Sequence, residues 1–181
     1  MIKLKDILLE SSAPNLLIPR RIEGRVEKYV QSVIQKYIKD GNKGDLDLSG
    51  LKLTKLPDKL KNVSVGRSFY CHGNKLTSLA NAPRSVGGNF WCSGNPNLTS
   101  LVGAPRSVGN FICSGNPNLT SLVGAPSSVV GDFVCSYNPK LTSLDGAPRS
   151  VGGYFDCTHN ATKFTIEQVR AVCDVKGIIY V

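Results

Sequence analysis

The chain has 181 residues, 41% of them hydrophobic, which suffices for one continuous core and a single domain with terminal additions. No run approaches the ~18 consecutive apolar residues of a membrane span, and the first residues lack the apolar stretch and small-residue cleavage site of a secretory signal, so a soluble chain outside the secretory route is expected. The formal charge of +9 is uneven: residues 1–75 hold 15 Lys/Arg against 8 Asp/Glu, whereas residues 76–181 hold 7 against 5.

The first element is a short segment with a basic, apolar start. Met1–Glu10 carries Lys3 and Lys5 and ends Leu8-Leu9-Glu10, and the small residues Ser11-Ser12-Ala13-Pro14 separate it from the next element. An ordinary amphipathic helix start accounts for such a pattern. Its length, its basic start and its Leu8-x-Glu10 ending also resemble the capsid-targeting peptides of internal head proteins in large contractile-tailed bacteriophages. That resemblance covers ten residues. It implies cleavage after Glu10 by a phage protease, and residence in the virion or in the cytoplasm of the infected bacterial host. Residues 1–14 are therefore read as a tag. From Ile22, apolar residues recur at Val26, Tyr29, Val30, Val33, Ile34, Tyr37 and Ile38, an amphipathic stripe with Gly41 as its stop. The expectation is an N-terminal helical cap over residues 15–44.

Self-similarity dominates residues 45–160. Near-copies begin at Leu76, Leu98, Leu119 and Leu141, each running Leu-Thr-Ser-Leu, then Ala-Pro, then Ser-Val, then Phe-x-Cys and Asn. Cys71, Cys92, Cys113, Cys135 and Cys157 are spaced 21, 21, 22 and 22 residues apart. Phe69, Phe90, Phe111, Phe133 and Phe155 keep step, as do Asn74, Asn95, Asn116, Asn138 and Asn160. Phe and Cys stand two apart, so both point to one face of a short strand and the residue between them points away. The predicted strands are Leu46–Leu48, Phe69–Cys71, Phe90–Cys92, Phe111–Cys113, Phe133–Cys135 and Phe155–Cys157.

The phrase Phe111-x-Cys113-x-x-Asn116 followed by Leu119-x-x-Leu122 resembles the leucine-rich-repeat signature, with Phe and Cys in leucine positions. An earlier unit, from Leu46 to Pro57, uses leucine throughout, with Leu51 in the Asn position. The Leu-Thr-Ser-Leu…Pro phrase is similar to the short bacterial class of these repeats. The resemblance implies a right-handed, mostly β solenoid with a single parallel sheet, terminal helices and a cap at each end, the Asn column bonding backbone groups in the turns. This chain departs from the class by an extra residue at Asn95-Pro96-Asn97, Asn116-Pro117-Asn118 and Asn138-Pro139-Lys140, where wider turns are expected.

Residues 161–181 read as a C-terminal helix–strand cap. Thr165-Ile166-Glu167-Gln168 forms a capping-box pattern, Val169, Val172 and Cys173 share one side of the helix it opens, and Ile178 to Val181 is strand-like.

Little points to catalysis. His72 and His159 are the two histidines, no C-x-x-C pair offers a metal site, and each repeat Cys occupies a core position where a thiol packs as a small hydrophobe. No enzyme activity, cofactor or metal is expected. The outward residues between Phe and Cys, namely Tyr70, Trp91, Ile112, Val134 and Asp156, form a candidate contact surface for a protein partner, with His72 beside them. The alternative is a sheet that tolerates β-forming residues without using them. Such repeats serve unrelated functions, so two readings stand: a non-catalytic, phage-encoded protein-binding or structural module, and an internal head protein that associates non-specifically with DNA through its basic first part. No membrane partner is expected.

Overall fold

The computed structural model describes the backbone of residues 19–181 and the side chains of residues 24–181. The segment 1–14, with the candidate processing residue Glu10, lies outside the described residues. The chain divides into two units between Gly41 and Asn42.

In the first unit, helix α1 spans Pro19–Lys39. Among its described side chains Val30, Ile34 and Tyr37 are buried, at the spacing of one helical face. Ile38, expected in the same stripe, is exposed. Gly41 adopts φ 79° and donates its N–H to the carbonyl of Ile38 at 3.0 Å, a left-handed C-terminal stop that glycine supplies without a Cβ clash. Lys36 and Lys39 sit in the last turn, where the helix dipole favours positive charge.

The second unit is a parallel β-solenoid. Its main sheet contains β1 (Leu46–Asp47), β3 (Phe69–Tyr70), β5 (Phe90–Trp91), β7 (Phe111–Ile112), β9 (Phe133–Val134), β11 (Phe155–Asp156) and β13 (Ile179–Tyr180), adjacent in that order. Each neighbouring pair is parallel and in register, so the Phe residues of successive coils face one another. Backbone bonding extends past the two-residue strands. The N–H groups of Phe90, Cys92 and Gly94 donate to the carbonyls of Asn110, Ile112 and Ser114 at 2.8–3.0 Å; the coils of Leu46, Phe69, Phe111 and Phe133 repeat this triplet, and that of Phe155 repeats its first two bonds. The paired run thus extends from the residue before Phe through the outward Ser or His, and ends at a residue of positive φ.

Alternation along that run builds the core. Phe69, Phe90, Phe111, Phe133 and Phe155 are fully buried, and their ring centroids follow one another at 5.3, 5.4, 5.8 and 4.9 Å. Each buried ring contributes roughly 1.5–3 kcal/mol of hydrophobic stabilisation. All six cysteines are free and buried. The leucines of the Leu-Thr-Ser-Leu phrases close the same core from the far side of the turn, Leu76, Leu79, Leu98, Leu101, Leu119, Leu122 and Leu141 being fully buried.

The Asn column is a hydrogen-bonded ladder. Asn116 Nδ2 donates to the Cys113 carbonyl at 2.7 Å, while its Oδ1 accepts the backbone N–H of Asn95 at 2.8 Å. Asn138 Oδ1 accepts the N–H of Asn116, and Asn160 Oδ1 that of Asn138. One amide per coil therefore satisfies a turn carbonyl in its own coil and an N–H of the preceding one, which keeps buried backbone groups from going unpaired. The inserted residues at Asn95-Pro96-Asn97 fold as a closed four-residue turn, Leu98 N–H donating to the Asn95 carbonyl at 2.9 Å.

A second parallel row, outside the strands predicted from the repeat, accompanies the main sheet. It consists of β2 (Ser64–Val65), β4 (Ser85–Val86), β6 (Ser107–Val108), β8 (Ser128–Val129), β10 (Ser150–Val151) and β12 (Asp174–Val175). β2 pairs with β4, and β6, β8, β10 and β12 form a separate four-stranded sheet. The row breaks between β4 and β6, where the link from β6 to the main sheet is Gly109-Asn110, one residue shorter than its counterparts. Val65, Val86, Val108, Val129 and Val151 of these strands are buried.

After the last repeat, Thr165 caps helix α2 (Ile166–Val172) with a reciprocal capping box: Gln168 N–H to Thr165 Oγ1 at 3.3 Å and Thr165 N–H to Gln168 Oε1 at 2.9 Å. Val169 is buried, but Val172, expected on the same side, is 45% exposed. The helix is only seven residues long and ends at Val172, so Cys173 reaches the core from the extended residue that caps it. The chain then adds β12 and β13 to the two rows.

Candidate binding face

The outer side of the main sheet presents three columns: the residue before each buried Phe, the residue between Phe and Cys, and the residue after Cys. The middle column reads Asp47, Tyr70, Trp91, Ile112, Val134, Asp156 and Tyr180, each in register with the next. Trp91 and Tyr180 are exposed, and Tyr70, Ile112, Val134 and Asp156 are partly exposed. The five residues singled out from the sequence therefore do share one outward column.

Parallel, in-register pairing brings three aromatic rings of neighbouring strands together. Trp91 lies with its ring centroid 6.0 Å from Tyr70 and 5.3 Å from His72, and Tyr70 stands edge-on to His72 at 6.3 Å. The indole Nε1 donates to Ser93 Oγ at 3.1 Å, which fixes the ring's orientation. This leaves an aromatic patch in which the indole N–H is satisfied locally while Trp91 is 39% exposed, the combination that interface anchors use. The third column continues from His72 as Ser93, Ser114, Ser136 and Thr158. Ser114 and Ser136 hydroxyls bond each other at 3.2 Å.

The column before Phe is not among the sequence-based candidates. Asp45, Ser68, Asn89, Asn110, Asp132 and Tyr154 occupy it, and side chains here bond backbone between coils: Asp45 Oδ1 accepts Ser68 N–H, Ser68 Oγ accepts Asn89 N–H, Asn110 Oδ1 accepts Asp132 N–H, and Asp132 Oδ1 accepts Tyr154 N–H. Its signal in the sequence is a polar residue at a fixed offset from each Phe. Tyr154 also meets Tyr180 at 5.6 Å. Its hydroxyl pKa is pushed up, first by partial burial and then by the negative charges of Asp132 and Asp156.

His159 lies away from the Trp91 patch, stacked on Tyr137 at 4.4 Å and 6°. Both residues adopt positive φ, 57° for Tyr137 and 56° for His159, in the column where the earlier coils have Gly73, Gly94 and Gly115. The backbone geometry of the turn is thus retained by two residues that incur a steric penalty for it.

Burial pushes the Cys71, Cys92, Cys113 and Cys135 thiols far up, and Cys157 and Cys173 up to about 11. They remain protonated at neutral pH, so none is poised as a thiolate nucleophile. Among the described residues, no three His, Cys, Asp or Glu side chains converge to hold a metal ion, and no helix is long and apolar enough to cross a membrane. No protein-family model, no curated protein and no solved structure matches this chain.

Proposed function

We propose that this chain is a non-catalytic binding module of the leucine-rich-repeat type, encoded by a large contractile-tailed bacteriophage, and that it holds a protein partner on the outer face of its main sheet. The observation that carries the reading is the Tyr70–His72–Trp91 patch: three rings in mutual contact on a regular sheet, with the largest of them exposed. Aromatic residues in such positions contribute a large share of binding energy where interfaces form. The phage setting is supported by the ten-residue likeness of Met1–Glu10 to capsid-targeting peptides.

The test is affinity capture from phage-infected host lysate and from disrupted virions, using the full chain and Trp91→Ala. The substitution should leave the melting temperature nearly unchanged, because the indole packs outside the core, and should abolish recovery of the partner. Equal recovery by both proteins would refute the site.

A second reading is favoured by the lysines of the first two coils. Lys43, Lys52, Lys55, Lys59, Lys61 and Lys75 are all exposed, and a cluster of this kind binds duplex DNA by releasing counterions. Absence of DNA binding at low salt would exclude it.

A further inference from the structure

The charges on the outer sheet face oppose those of the chain as a whole. Its three columns carry Asp45, Asp47, Asp132 and Asp156 and not one Lys or Arg, although the chain contains 22 basic residues and has a formal charge of +9. The nearest cation in register is Arg67, one position beyond the first column, and it is 3.9 Å from Asp45. Screening confines charge effects to about 8 Å at physiological ionic strength, so the charges that a partner touching this face meets first are the aspartates standing on it.

The acids do not form one cluster; they stand with aromatic rings at the two ends of the face. Asp47 is in register with Tyr70, and Tyr70 with Trp91. At the far end Asp156 is in register with Tyr180, and Asp132 bonds the backbone of Tyr154. Between the ends lie Ile112 and Val134. The bonds that position Asp47, Asp132 and Asp156 all use Oδ1, accepting from Ser49, Tyr154 and Thr158 respectively. Among the described residues, nothing bonds their Oδ2 atoms. A carboxylate beside an aromatic face suits a guanidinium or ammonium group, which gains ion pairing and a cation–π contact together.

Resting on the protein-binding reading above, we infer that the partner contributes a cationic polypeptide segment: two basic residues flanking an apolar stretch, laid across the strands. Asp47 and Asp156 are five strand spacings apart, ~24 Å, and an extended chain advances ~3.3 Å per residue, which places the two cations about seven positions apart. The central apolar side chains rest on Ile112 and Val134. One cation stacks on Tyr70 and Trp91 beside Asp47, and the other lies between Tyr154 and Tyr180 beside Asp156. A polyanion is repelled from this face.

Panning a ribosome-displayed random dodecapeptide library on the full chain tests this. Enriched peptides should carry Lys or Arg pairs six to eight residues apart with apolar residues between them. Affinity should fall about three- to tenfold for the Asp47→Asn/Asp156→Asn double variant, the range for two exposed ion pairs, and also when salt is raised from about 50 to about 300 mM. Acidic or neutral peptides lost with Trp91→Ala but not with the double aspartate variant would overturn the cationic partner and leave the binding face standing. Peptides insensitive to every one of these substitutions, or no enrichment at all, would overturn both. A duplex DNA probe that binds and competes with the peptides would also refute the inference. So would sedimentation showing that the chain's own copies occupy the face.

Discussion

Alkali should unfold this solenoid through its buried thiols. In the folded chain, burial holds Cys71, Cys92, Cys113 and Cys135 protonated well above their ordinary range, while in the unfolded chain each ionises near pH ~8.5. A folded pKa raised above the unfolded one means that stability is fully present below pH ~8.5 and declines as pH rises, because the unfolded state sheds protons that the folded state keeps. For Cys157 and Cys173 the decline levels off at about 11. At pH ~10 each fully buried thiol costs about 2 kcal/mol, so the four together cost ~8 kcal/mol, comparable with the whole stability of an ordinary domain. Urea unfolding followed by circular dichroism at pH ~7.5, ~9 and ~10 measures the loss. Lysine and tyrosine titrations are common to the wild type and a Cys113→Ala variant, so the difference between the two isolates one thiol. The variant should be ~1–2 kcal/mol less stable at neutral pH, for lost packing, and the gap should close by about 2 kcal/mol by pH ~10. A gap that does not change with pH would refute the reasoning.

Other perturbations test the remaining layers of the fold. Phe111→Ala removes a fully buried ring stacked between Phe90 and Phe133 and should cost ~3–5 kcal/mol in chemical denaturation. Asn116→Ala leaves the buried N–H of Asn95 without its acceptor and takes the closer of two donors from the Cys113 carbonyl, which keeps Asn138 Nδ2 at 3.3 Å; a loss of ~1–3 kcal/mol is expected, chiefly from the unsatisfied N–H. Two glycine substitutions separate conformation from space. At Gly94 (φ 63°) a Cβ meets nothing closer than 3.7 Å, so Gly94→Ala should cost only the left-handed backbone, ~1–2 kcal/mol. At Gly124 (φ 92°) a Cβ would lie 2.3 Å from the Val102 backbone nitrogen, so Gly124→Ala should drive adjacent coils apart and lower the melting temperature much further.

Period and alternation made much of this protein legible. A repeat of 21–22 residues with Phe and Cys two apart specifies which side chains are buried, since a strand inverts its side chains at every residue and only one face can meet the core. The Phe spine, the protonated Cys column and the outward column from Tyr70 to Asp156 all follow from that one constraint. So does the capping box at Thr165, a local pattern that needs no tertiary partner. Tertiary structure decided what depends on neighbouring coils. The Ser–Val row pairs because stacking brings short segments side by side that would not pair alone. Val172, the last residue of α2, is exposed although its spacing suits the side of buried Val169, since which part of a helix face is covered depends on the coil beneath it. Tyr137 and His159 take glycine's left-handed conformation because the turns of adjacent coils dictate the backbone there, and no local propensity announces it. The acidic character of the outer sheet face is also a product of stacking: Asp45, Asp47, Asp132 and Asp156 are spread over more than a hundred residues of a basic chain, and the in-register sheet gathers them on one side.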